Sequence, residues 1–241
     1  KDITEHDLTK ESENLIRFFL IHILKRHRYL LNRETVMNMK YSPEFLEEIL
    51  EYIAKNHDKY SNLPSLTGLV SQVQLLRTDD DEHFFRCKSL YMDLGNSIGR
   101  GERYNGLVLI SGYCTTQHYK GRADLLKEYF EIQKFRVMHD IVKMHKNDYV
   151  TTVYYTGVIT ASVLLNEIEW GETFINKYKN ELHPDSRESA YNYAMARIRE
   201  KQKRYGESMD YLKNVKLENV YYKVNVKSLM SKLYYSLGHI D

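Results

Sequence analysis

Catalysis or metal binding would show first in the histidines and cysteines. Ten histidines are present. None stands in His-Glu-x-x-His or Glu-x-x-His, the spacings that set two ligands one turn apart on one helix face. His22 and His27 are five apart and His139 and His145 six apart, so each pair diverges around a helix. Cys114 and His118 are one turn apart. A thiolate beside an imidazole is a nucleophile only with an orienting acid and oxyanion donors, and the sequence supplies neither. The run Asp79-Asp80-Asp81-Glu82 has the charge to attract a cation, but at a helix start such acids complement the positive end of the helix dipole. Gly95, Gly99 and Gly101 lack the preceding strand and following Gly-Lys-Ser/Thr of a phosphate loop, and mark a helix-to-helix junction. No catalytic residue, cofactor or metal is expected.

Basic residues gather at Lys25-Arg26-His27-Arg28 and at Arg197, Arg199, Lys201, Lys203 and Arg204. The second group is interleaved with Glu200 and Gln202, as on a solvated helix face. The net charge is only +2. Neither a nucleic-acid backbone nor an anionic membrane is called for, and neither is an expected partner. Hydrophobic residues at 42% and charged ones at 28% describe a globular chain. The apolar runs, such as Phe18 to Ile23, are far too short to span a bilayer. Two cysteines, Cys87 and Cys114, cannot make a disulfide framework; buried, reduced thiols and a cytoplasmic location are expected.

The elements that would position any site are helices. Helical periodicity runs along nearly the whole chain. Ile16, Leu20, Ile23, Leu24 and Leu31 mark one face of a long first helix. Ser42, Pro43 and Glu44 read as cap, first position and first turn of the next, whose apolar stripe is Phe45, Leu46, Ile49, Leu50 and Ile53 and which Asn56 to Asp58 stop. Pro64 and Pro184 open further helices. Leu66, Leu69, Val70, Val73 and Leu76 form one stripe, and Phe84, Cys87, Tyr91 and Leu94 another. A helix from about Glu102 to Tyr119 precedes the break at Gly121. A longer one carries Leu125 through Phe135 to Ile141 and Val142. Val150 to Tyr155 is the one stretch with an ambiguous strand signal.

The last third repeats. Trp170-Gly171-Glu172-Thr173 and Tyr205-Gly206-Glu207-Ser208 are near copies 35 residues apart, and Ala161, Ala196 and Ser231 recur at the same interval. Such a period marks helix-turn-helix repeats, with small residues where paired helices cross. Over residues 154–241 the sequence resembles the tetratricopeptide family. In the best unit, Ser189 to Tyr222, the family's first-helix positions hold Tyr193, Met195 and Ala196. Its turn aromatic is Tyr205, and its second-helix positions are Ser208, Leu212 and Val215. A following unit ends Tyr234, Leu237, Gly238. Lys203 stands where the family has a turn glycine, and Val220 where it has a closing proline.

The resemblance implies an all-α fold, a right-handed α-solenoid of antiparallel helix pairs, about 10–12 helices in one continuous stack. Residues 1–150 would form an N-terminal array of longer, irregular pairs and 151–241 the repeats, the last truncated. It also implies a non-catalytic protein–protein interaction scaffold or adaptor that binds a peptide or partner helix in a groove. The inner wall of that groove would hold Tyr155, Tyr193, Arg197, Lys201, Lys232 and Tyr235. Tyr193, Ala194 and Arg197 occupy positions where some members clamp a terminal carboxylate with lysine and asparagine, so that activity does not carry over. A second reading is the helical-repeat regulatory domain of a nucleic-acid-associated protein. The apolar residues Val226, Leu229, Met230, Leu233 and Leu237 exceed one helix face, so a further capping helix, or self-association through this end, is expected.

Overall fold

A computed structural model describes residues 5–37, 40–93, 98–216 and 220–238. Among them are twelve α-helices and no strand; the ambiguous stretch contributes only an isolated parallel bridge between Val150 and Leu182. No helix among the described residues is long and apolar enough to cross a membrane. The chain divides into two compact units, Lys1–Tyr113 and Cys114–Asp241.

In the first unit, α1 (Glu5–Met37) buries Leu20, Leu24 and Leu31 against Leu66, Leu69 and Val73 of α4 (Pro64–Thr78) and Leu46, Ile49 and Leu50 of α2 (Leu46–Lys55). Tyr60, from the one-turn α3 (His57–Tyr60), completes this core. Pro64 sits at the start of α4 as expected. Ser42 and Pro43 do not cap α2, however. They lie outside any helix, and α2 begins only after Phe45, whose φ of 58° turns the chain left-handed. Phe45 is 68% exposed rather than part of the buried stripe. Asp81 and Glu82 open α5 (Asp81–Asp93), and the Asp80 carboxylate accepts from the Glu82 amide at 2.9 Å. The acids thus serve the helix start. The junction to α6 (Arg100–Tyr119) contains Gly99; Leu94 and Gly95 lie outside the described residues.

The centre of this unit is Tyr91, fully buried and wedged where two glycines leave room. A β-carbon at Gly106 would lie 2.6 Å from its ring carbons, and one at Gly68 would meet its hydroxyl. Gln72 donates to that hydroxyl and accepts from Arg28 at 3.1 Å. Burial holds the Tyr91 phenol neutral by pushing its pKa well up. Arg103 donates to the carbonyls of Tyr91 (2.9 Å) and Met92 (3.1 Å), satisfying the end of α5.

In the second unit, α7 (Asp124–Met138) is shorter than the periodicity predicts. Asp140, at φ 55°, and a bond from the Ile141 amide to the Arg136 carbonyl close it. Ile141 and Val142 are buried, but from an irregular segment rather than a helix. Arg136, 2% exposed, holds that segment by donating to the Ile141 and Val142 carbonyls at 3.2 and 3.4 Å.

Next come α8 (Thr152–Leu164), α9 (Ile168–Tyr178), a 3-10 turn (Lys179–Glu181), α10 (Pro184–Lys201), α11 (Tyr205–Lys213) and α12 (Val220–Ser236). Three-residue links make α8–α9 and α10–α11 antiparallel pairs. The two links have one geometry. Asn166 and Lys203 are left-handed at φ 62° and 61°. The Glu167 and Arg204 amides reach back to Ser162 and Arg199 at 2.8 and 2.9 Å, and Leu165 and Gln202 reach Ala161 and Ile198, both at 3.0 Å. Each is the six-to-one closure of a helix C-terminus.

Equivalent atoms in the two links stand 37 residues apart, as Asn166 and Lys203 do. The sequence copies at Trp170 and Tyr205 are 35 apart because Trp170 is the third residue of α9 and Tyr205 the first of α11. The residues at the close crossings are therefore Gly171 and Ser208, each three past the start of its helix. A β-carbon at Gly171 would lie 2.6 Å from the Ser162 hydroxyl, and Ser208 donates to the Ala196 carbonyl at 2.8 Å. Ala161 and Ala196 are both buried. Ser231 is exposed on α12, so it makes no crossing.

Candidate functional site

Two exposed regions are candidates, one in each unit. The first contains the residues expected to line a groove. Tyr155 and Tyr193 are not on it. Tyr155 is fully buried and donates to the Ile175 carbonyl at 3.2 Å; Tyr193 is 2% exposed, packed with Ala196, Met209 and Leu212. The reason is visible along α10. Every residue from Asn192 to Ala196 is buried between α8, α9 and α11, so α10 is closed through its middle and opens again only in its last turns.

There Arg197 is half-buried and Lys201 exposed one turn on. Lys232 of α12 pairs with Glu200, which brings the exposed side of α12 to the end of α10. Tyr235, one turn after Lys232, is 76% exposed. Four of the six expected residues thus lie in one region of the second unit. Its chemistry is cationic and aromatic.

Two other basic residues nearby are taken. Arg199 pairs with Glu172 and, at 3.6 Å, with Glu207, and Arg204 pairs with Glu207 at 2.6 Å. Of the terminal apolar residues, Val226, Leu229 and Leu233 are core and Met230 packs on it, while Leu237 is 38% exposed.

The second region lies in the first unit and was not anticipated. Ile16, Phe19 and Leu20 of α1 with Phe45, Ile49 and Tyr52 at α2 enclose a groove of about 500 Å³. Glu48 is the one charged residue in its lining. Phe45 stands at the lip, and Phe19, more than half exposed, forms the opposite wall. The sequence carried a signal for this. Leu8, Leu15, Phe18 and Phe19 are apolar residues beyond the one stripe that α1 buries, and all four are exposed.

The two thiols and the buried histidine line neither region. Cys87 and Cys114 are buried and form no disulfide, and burial pushes the Cys87 thiol up to about 12, so it stays protonated. Burial lowers the His27 pKa, the Glu44 backbone opposing, and neither ring nitrogen has a hydrogen bond of good geometry. Among the described residues no three His, Cys, Asp or Glu side chains gather as metal ligands do.

These features define an all-helical chain with two exposed faces. Compared with known proteins, it matches no family model, no curated protein and no solved structure.

Proposed function

We propose that this chain is a non-catalytic interaction scaffold, built from helix pairs similar to tetratricopeptide repeats, that holds a peptide or partner helix on the α10–α12 face of its second unit. The repeated link carries this reading. Two successive pairs close with the same left-handed residue and the same set of hydrogen bonds, then admit a small residue at the crossing, as a repeating unit does. Arg197 and Tyr235 are of the types enriched at protein interfaces, and Lys201 adds positive charge to their rim. Lys232 holds α12 to Glu200 within that rim.

A benzophenone photocrosslinker at Tyr235, in the full chain exposed to its native cell extract, tests the reading. It should capture a discrete protein, and Arg197→Glu with Lys201→Glu should abolish the capture. Equal capture from a crosslinker at the exposed Asn176 of α9, or capture indifferent to both reversals, would overturn it.

A further inference from the structure

We propose that the groove between α1 and α2 is a second docking site, which seats the apolar side of a partner's basic amphipathic helix and places a lysine or arginine against Glu48. The inference stands on the first unit alone and does not depend on the α10–α12 face. Three observations carry it.

The cavity is the first. At about 500 Å³ it falls within the size range of ligand pockets, roughly 300–1,000 Å³, and its lining is apolar apart from Glu48. It is large enough to take bulky anchor side chains.

The second is that the apolar surface does not stop at the cavity mouth. Leu15 lies one turn before Phe19 on α1 and Leu8 two turns before that, at 68% and 54% exposure. From Leu8 to Phe19 is about 16 Å along the helix at ~1.5 Å per residue. A small molecule filling the cavity would leave this stripe in water. A helix with apolar residues at i, i+3, i+4 and i+7 would cover it.

The third is charge. Four glutamates crowd the start of α2. Glu47 pairs with Arg77, and Glu51 pairs with Lys55 at 3.4 Å. Among the described residues Glu44 and Glu48 have no cationic partner, and Glu48 faces the groove. An unpaired carboxylate beside an apolar cavity selects for an apolar anchor flanked by a cation and rejects an acidic one.

Phe45 adds a mark of use. A bulky residue at φ 58° is strained, and that strain holds an exposed aromatic ring at the lip, where it contributes little to the core.

The test measures fluorescence anisotropy of a labelled 16-residue Leu/Lys amphipathic helix titrated with the full chain, beside a Leu/Glu peptide with the same leucine pattern. The Leu/Lys peptide should bind at least ten-fold more tightly. Glu48→Lys should reverse the order, whereas Glu169→Lys, the same charge change on exposed α9, should leave it intact. Phe45→Gly should weaken the Leu/Lys peptide about ten-fold without lowering the melting temperature, because glycine suits the left-handed backbone. Equal binding of the two peptides, or an order unmoved by Glu48→Lys, would overturn the proposal. So would sedimentation showing a dimer of the chain that Phe45→Gly dissociates, since a second copy would then be the occupant.

Discussion

His27 and Lys203 show how single residues carry costs in this fold. His27 is 3% exposed on α1 and is kept neutral by burial. Its folded pKa lies below the unfolded value of about 6.5, so below that value the unfolded chain binds the extra proton. Stability therefore falls as pH drops through the window from about 6.5 toward the lowered folded pKa. One histidine contributes a slope of at most about 1.4 kcal/mol per pH unit there. Urea unfolding of the parent and of His27→Leu at pH 7 and pH 5.5 should show a smaller acid loss in the variant. Equal losses would mean that His27 is not the group that titrates. Lys203 carries a different cost, a lysine at φ 61° in an exposed turn. Lys203→Gly should stabilise by about 0.5–1 kcal/mol in a denaturant melt. Asn166→Gly, in the same geometry, should gain less, because asparagine tolerates that conformation better. A destabilising Lys203→Gly would show that the lysine side chain makes a contact the fold needs.

At the scale of elements, close approach decides the architecture. Gly106 lets α6 pass over the Tyr91 ring, which is pinned by Gln72 and cannot swing aside without leaving the Arg28–Gln72 bond unsupported. Gly106→Ala should destabilise by about 1–3 kcal/mol. Adding Tyr91→Leu should recover part of that loss, which a thermodynamic cycle of the two variants would reveal. Simple additivity would contradict the wedge. In the second unit Ala196→Leu should cost a similar ~1–3 kcal/mol by overpacking the α10–α11 crossing beside Ser208. A parent-like melting temperature there would place the crossing elsewhere.

These same contacts explain what the sequence could tell. Most helix positions, Pro64 and Pro184 at helix starts, and the Gly121 break were legible, because apolar period and turn chemistry are local, whereas the Lys203 turn came only from the family resemblance. Which face each helix shows was not. Tyrosine suits both core and surface, and α10 is enclosed on so many sides that periodicity does not tell Tyr193 from Arg197. The 35-residue copies misplace the crossings by two residues because α9 starts two residues earlier relative to its motif. Phe45 escaped because a left-handed aromatic leaves no trace in an apolar pattern.

At the scale of the whole molecule, the question is what its charges can bind. A protein that neutralises 6–10 phosphates loses about 10³–10⁵ in affinity for DNA between 50 and 200 mM salt. The net charge of +2 gives little basis for such a contact set. The basic run at the end of α10 is partly committed, since Arg199 serves Glu172 and Arg204 serves Glu207. Elsewhere Lys134 pairs with Glu167 at 3.0 Å, Lys143 with Glu181 at 2.7 Å and Lys213 with Asp210 at 2.9 Å. Arg197, Lys201 and Lys203 stand in no ion pair among the described residues, but three cations on so short a run make a protein-sized hot spot rather than a track for a phosphate backbone. Mixed-sequence oligonucleotides titrated at 50 and 200 mM salt should therefore show affinity differing by less than about ten-fold, or no binding at either. A loss of a thousand-fold or more would mean that the cations converge on one phosphate-binding face. The regulatory, nucleic-acid-associated reading would then displace the protein scaffold.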